Sequence, residues 1–112
     1  MKILIPINEN KGIESKLSGH FGHCPYFGIY ETESQNIEVV KNNLDHSNEK
    51  LTPIDQIMKF HADIVFSKGI GERAIKLFSQ TNMKLKTGDF ETLGEVIKNI
   101  ENLKDLRSGC GH

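Results

Sequence analysis

An α/β fold around a mixed five-stranded sheet is predicted by three features of the chain. They are an unbroken Ile/Leu run near the amino terminus, two strand-like segments joined by a short polar turn, and two later strand segments each followed by a helical pattern. Residues 2–8 show no helical period and end in turn-prone residues, which fits a strand buried on both faces in mid-sheet. Residues 9–19 are polar and irregular, a surface loop long enough to suggest a role beyond linking. Residues 26–31 suit a second strand, rich in aromatic and β-branched side chains. After the hairpin loop Glu33-Ser34-Gln35-Asn36, residues 37–42 give a third strand polar enough for an edge, so strands two and three run antiparallel.

Thr52-Pro53 supplies an N-cap and a first-turn proline for a helix whose stripe is Ile54, Ile57, Met58 and Phe60, ending near His61. Residues 62–67 form strand four, and Lys68-Gly69-Ile70-Gly71 a tight turn. A second helix over 72–80 places Ala74, Ile75, Leu77 and Phe78 on one side; residues 83–86 are strand five. The third helix starts at Thr92, whose hydroxyl and Glu95 make a capping-box pattern, with Leu93, Val96, Ile97 and Ile100 buried. Right-handed crossovers then give the order 3-2-1-4-5, strand two antiparallel to strand one, with three helices on the faces. One domain spans 1–103, followed by a flexible Cys/His-containing tail at 104–112.

The 112 residues suffice for one core and leave no room for a second domain. Charge is balanced, 14 Lys and Arg against 15 Asp and Glu, so no strong field favours nucleic acid or an anionic membrane. The first apolar run is too short for a signal peptide, and nothing approaches the roughly 20 apolar residues of a membrane span. The expectation is a cytoplasmic protein. Its two cysteines, Cys24 and Cys110, make no disulfide framework.

The predicted topology brings Asn8, the loop carrying His20, His23 and Cys24, the Gly69-Ile70-Gly71 turn and Thr87-Gly88 to one sheet edge, at the carboxyl ends of the parallel strands. Ligands of open α/β sheets usually bind there. Imidazole and thiolate are the ligands of zinc, copper, iron and iron-sulfur clusters, and donors three and four positions apart on a bent loop can converge on one ion or cluster edge. Three donors leave a coordination position open, which favours exchangeable or cluster binding over a closed structural zinc site. Two other readings stay open. The histidines donate to backbone carbonyls while Cys24 is a small buried apolar residue, or Cys24 is a nucleophile activated by an imidazole. Cys110 and His112 form a second donor pair; the ten residues after 102 span roughly 33 Å if extended, enough to reach the loop. The alternative is an uninvolved terminus.

Gly69-Ile70-Gly71-Glu72-Arg73 opens a helix directly after a strand, so its amides could hold an anion with Lys68 or Arg73 assisting. It lacks the third glycine of a dinucleotide fingerprint and the Lys-Ser/Thr pair of a P-loop, and a mere tight turn explains it as well. His46 and His61 are solitary and expected in solvent. No acidic pair suits a hydrolase.

His20-Phe21-Gly22, followed by Pro25, Tyr26, Phe27 and an apolar strand ending in Tyr30-Glu31, resembles the motif of the dinitrogenase iron-molybdenum cofactor biosynthesis family. Gly69-Ile70-Gly71-Glu72-Arg73-Ala74-Ile75 is similar to that family's second signature. The resemblance implies a ribonuclease H-like three-layer fold and a non-enzymatic role in carrying iron-sulfur or iron-molybdenum-sulfur clusters, with cluster donor or acceptor proteins as partners. His20 matches the motif histidine; His23 and Cys24 stand where members often have arginine and a small residue, shifting the site toward direct coordination. Topology and residue chemistry together put Asn8, Phe21, Gly22, Gly69, Ile70, Gly71 and Arg73 around the expected cofactor and make His20, His23, Cys24, Cys110 and His112 the candidate metal donors; the Cys110-His112 tail lies outside the family motif. Two other functions stay open on the same residues. A thiol or hydrolytic enzyme on the same frame lacks the acidic cluster of two-metal chemistry. A zinc-binding or thiol redox-responsive module would bridge Cys24 and Cys110 on oxidation. Val39 and Val40 on the edge strand allow a monomer or a weak dimer.

Overall fold

The apolar run at the start of the chain becomes the centre of the sheet. In the computed structural model, which describes residues 1–19, 21, 23–44, 47, 50 and 52–106, β1 (Lys2–Ile7) has Ile3, Leu4, Ile5 and Ile7 fully buried. It pairs antiparallel with β2 (Tyr26–Glu31), which pairs antiparallel with β3 (Asn36–Lys41). On its other side it runs parallel to β4 (Ile64–Phe66), and β4 parallel to β5 (Lys84–Thr87). The helices are α1 (Pro53–Ile57), α2 (Glu72–Phe78) and α3 (Leu93–Lys98).

The sheet has six strands, in the order β3-β2-β1-β4-β5-β6, rather than the five expected. The added strand, β6 (Lys104–Asp105), pairs antiparallel with β5. Two polar residues are too short a run to show a strand period, and no local pattern marks it. What holds β6 lies on either side: Leu103 is buried with the α3 face and Leu106 with the opposite face. Asp105 also meets the Lys86 ammonium at 2.7 Å, and the Leu106 N–H donates to the Leu85 carbonyl at 3.0 Å. The segment 104–106 therefore continues the sheet.

Strand alternation divides the interior into two layers. Leu4, Phe27, Ile29, Val65 and Leu85 pack with Ile54 and Ile57 of α1 and Phe78 of α2. Ile3, Ile5, Ile7, Tyr30, Ile64 and Phe66 pack with Leu93 and Val96 of α3. Gly28 belongs to the second face, where a Cβ would stand 3.1 and 3.3 Å from the Leu93 methyl carbons. A glycine there lets α3 settle onto β2.

The caps follow local chemistry. At α1 the Thr52 hydroxyl accepts the Asp55 N–H and the Asp55 carboxylate accepts the Thr52 N–H, a complete capping box with proline behind it. A 3-10 turn, Met58–Phe60, carries that helix to His61, which closes it in the left-handed region at φ 56°. At α3 the expected box is only half made. Thr92 accepts the Glu95 N–H, but the Glu95 carboxylate takes the Glu91 N–H, one residue earlier.

The expected surface loop between β1 and β2 is a strap over its first half. The Leu93 N–H donates to the Ser15 carbonyl, the Leu17 N–H to that of Glu91, and the Ser18 N–H to that of Pro6. Ser15 and Leu17 are buried. Gly12, at φ +61°, makes the turn that a side chain would strain. Glu9 closes the strap by accepting the Lys16 N–H at 3.1 Å and pairing with the Lys11 ammonium at 3.0 Å, which hold its carboxyl below the ordinary carboxylate range, Lys11 first.

Two outcomes follow. Gly28→Val should lower stability by about 1–3 kcal/mol through overpacking against Leu93, and Gly28→Val with Leu93→Ala should cost less than the sum of the two single changes, read by urea unfolding. Because the folded state favours ionised Glu9, its contribution is present above its ordinary value of 4.5 and fades as pH falls toward the depressed one. The Lys16 amide resonance should therefore shift on acidification below that value, and Glu9→Gln should abolish the shift.

Candidate functional site

The carboxyl ends of β1, β4 and β5 and the entrance of β2 lie along one edge, as the registers Ile7 with Tyr26 and Phe66 with Lys86 require. The chain enters this edge through Ser18, buried and fixed to β1, and leaves it through Cys24-Pro25 into β2. Proline has no N–H and fits the point where the ladder begins.

Phe21 is half-buried in the intervening loop. Its ring stands 6.0 Å from that of Phe27 and 5.6 Å, edge-on, from that of Phe78, so it bridges the sheet and α2. Phe60 completes the group behind it, 6.4 Å from Phe27. In front opens a cleft of about 310 Å³. Phe21 and His23 form its loop side, Pro53 and Ile54 its α1 side, and Ile70, Gly71, Arg73, Ala74 and Leu77 its α2 side. The wall is mostly apolar, and the polar groups are the exposed His23 and Arg73.

Gly71 caps α2 in ordinary extended geometry, φ −71° and ψ 158°, with its carbonyl accepting the Ala74 and Ile75 N–H groups. A Cβ there would meet nothing within 4 Å. Neither backbone strain nor packing demands a glycine at this point. Its effect is to leave the cleft wall bare, with backbone open to whatever enters. Before it, Ser67 folds the turn by donating its hydroxyl to the Gly69 carbonyl at 2.9 Å, and Ile70 is buried.

The residues singled out from sequence divide into groups. Phe21, His23, Ile70, Gly71 and Arg73 meet at the cleft. Cys24, one position from His23, is 3% exposed and belongs to the core beneath α1 and α2. Asn8 lies at the same edge but is turned to the strap, donating its carboxamide to the Leu17 carbonyl at 3.4 Å. Lys68 pairs across the surface with Glu91 at 3.7 Å. His20, Gly22, Cys110 and His112, and also His46, lie outside the described residues. Among the described residues, no three His, Cys, Asp or Glu side chains gather into a group that could hold a metal ion.

Sequence reasoning overlooked Pro53, Ile54 and Leu77 as cleft walls, because an apolar helical stripe reads as core. It also overlooked Asn42, at the end of β3, whose side chain donates to the Cys24 carbonyl at 2.7 Å. The signal was available only through the β2–β3 register, in which Lys41 lies opposite Tyr26.

Residues 1–103 match the family described as dinitrogenase iron-molybdenum cofactor. The chain belongs to that family. One relative is an uncharacterized protein of Methanocaldococcus jannaschii, 28% identical over an alignment 103 positions long that covers 88% of this chain and 83% of that one. Among solved structures, the apo form of the orange protein from Desulfovibrio gigas superposes with a TM-score of 0.80 at 16% identity, covering 96% of this chain and 94% of its own. A Thermotoga protein of the DUF35 family, provisionally assigned as a NifB protein, gives 0.77 at 24% identity, with the same coverage of 96% and 94%. At these identities the two structures share the fold of this dinitrogenase cofactor family member. Its described helices include none long and apolar enough to cross a membrane.

Phe21→Ala should remove one cleft wall and the bridge to Phe27 and Phe78, costing about 2 kcal/mol in chemical denaturation, with Phe21→Leu retaining more than half of it.

Proposed function

We propose that the protein is a small non-enzymatic cytoplasmic carrier that takes up an anionic metal-sulfur cluster, of iron-sulfur or iron-molybdenum-sulfur type, in the cleft between the Phe21–His23 loop and the start of α2. The observation that carries this reading is the meeting of Phe21, His23, Ile70, Gly71 and Arg73 at one cleft of a chain in the dinitrogenase iron-molybdenum cofactor family. The ribonuclease H-like three-layer frame implied by the resemblance belongs to the same proposal.

The chemistry of the cleft suits such cargo. His23 offers an exposed imidazole, a ligand for iron and molybdenum-containing centres alike. Arg73 contributes a delocalised, weakly hydrated cation against an anionic cluster. The apolar wall of Phe21, Ile54, Ile70 and Leu77 displaces water from a sulfide-rich surface that accepts only weak hydrogen bonds, and bare Gly71 lets that surface approach the backbone. His20, next to Phe21 in the chain, supplies a second imidazole. Cys24 joins the coordination when its loop turns outward, and Cys110 and His112 are the donors that would close the site from the tail. Cluster donor and acceptor proteins then meet the exposed cleft face, with the chain acting as a monomer or a weak dimer.

Anaerobic reconstitution with iron, sulfide and molybdate should give sulfur-to-metal charge-transfer absorption. The band should be lost in the His20→Ala, Cys24→Ser double variant and weakened in His23→Ala, while Arg73→Glu should slow cluster uptake severalfold at low salt and leave release to a chelator nearly unchanged. An unchanged spectrum in the double variant would mean that the donors have been misassigned.

A further inference from the structure

Asn42 ties the end of β3 to the entrance of β2 through both its side chain and its backbone. Its side-chain N–H donates to the Cys24 carbonyl at 2.7 Å and lies 3.9 Å from the Cys24 sulfur. Its backbone N–H donates to the Pro25 carbonyl at 3.0 Å. Its Oδ1 accepts the Leu44 N–H at 2.9 Å, which fixes the rotation of the carboxamide. The β2–β3 ladder ends with Tyr26 opposite Lys41. Asn42 therefore carries the pairing two carbonyls further, into the segment that bears His23.

We propose that Asn42 is the positioning residue of the cargo loop: it clamps Cys24-Pro25 to the end of β3 so that His23 faces the cleft and Cys24 stays inside the core. The cargo arm of this inference rests on the carrier reading; the clamp itself does not. A clamp at this point matters because His23 and Cys24 are neighbours with opposite surroundings, one exposed at the cleft and one buried. A rotation of the backbone there is what would bring the Cys24 thiol out toward the cleft. The Cys24 carbonyl is the group such a rotation must move, and the carboxamide holds it at hydrogen-bond distance.

Asn42→Asp tests the donor alone. It keeps the shape and the acceptor for Leu44, but sets a carboxylate oxygen against the Cys24 carbonyl. Val40→Ala serves as the control, weakening β3 without touching that carbonyl. N-ethylmaleimide labelling of Cys24 in the full chain, read on the Cys24 peptide by mass spectrometry, should run about tenfold faster in Asn42→Asp, the effect of losing one well-made hydrogen bond to a buried group. In Val40→Ala it should rise only as far as the measured loss of global stability accounts for. After anaerobic reconstitution, Asn42→Asp should also release its cluster to a chelator about tenfold more slowly than wild type, because nothing then draws Cys24 back into the core. Labelling that follows global stability equally in both variants would overturn the clamp. A wild type that gains no charge-transfer band, with the labelling contrast intact, would sink the carrier reading and leave the clamp standing. Equal loading and release in wild type and Asn42→Asp would overturn the clamp's service to cargo.

Discussion

Burial of β1 from both sides is the constraint on which the rest of the structure depends. A strand with Ile3, Leu4, Ile5 and Ile7 fully covered needs apolar partners above and below, so the helices divide between the two faces, α1 and α2 against one and α3 against the other. A central strand also needs pairing along both edges, supplied by the β2–β3 hairpin on one side and the parallel β4 and β5 on the other. Once β1 and β4 run parallel, their carboxyl ends must share an edge. The cleft is the place where that edge, the turn after β4 and the loop before β2 meet.

The strap of residues 8–18 explains why the loop bearing the candidate donors is held at its start. A polar segment of that length would ordinarily sample many conformations. Here the backbone bonds from Ser18 to Pro6, from Leu17 to Glu91 and from Leu93 to Ser15 tie it to β1 and α3 together. The far end is tied by Asn42 to β3. The short stretch between these anchors carries Phe21 and His23, and the Phe21 ring between Phe27 and Phe78 adds a third attachment. The loop is thus supported from the opposite face of the sheet, the edge hairpin and α2, rather than by its own sequence.

What the sequence made legible is the part written in periodicity and caps. The continuous run of β1, the hairpin, the Thr52-Pro53 start of α1 and the strand-helix alternation gave element order and topology, and topology alone gathered the Gly71 turn and the His23 loop at one edge. β6 was hidden because Lys104 and Asp105 take strand geometry from Leu103 and Leu106 on either side, a cause with no local pattern. The reciprocal bond expected from Glu95 went instead to Glu91, where the isolated bridge of Lys16 with Thr92 brings the strap alongside. Donor residue types were readable, but their exposure was not. His23 and Cys24 look equivalent as ligands in the chain, and tertiary packing separates them.

That separation bears on how an anionic cluster would be held. Arg73 is exposed, and a single charge pair in high dielectric at 4 Å contributes about 1 kcal/mol, less with salt. Such a term steers cargo to the cleft but does not retain it. The backbone of Gly71 is likewise shared with solvent. On the proposed reading, retention would then fall to coordination by the loop donors and to the apolar wall, which would strengthen each bond by excluding water. On the carrier reading, changes at Arg73 would alter uptake and its salt dependence, whereas changes at the loop donors, or at the proposed Asn42 clamp, would alter residence. A carrier needs those two quantities to be separable, since cargo must arrive readily and leave only when a partner moves the loop.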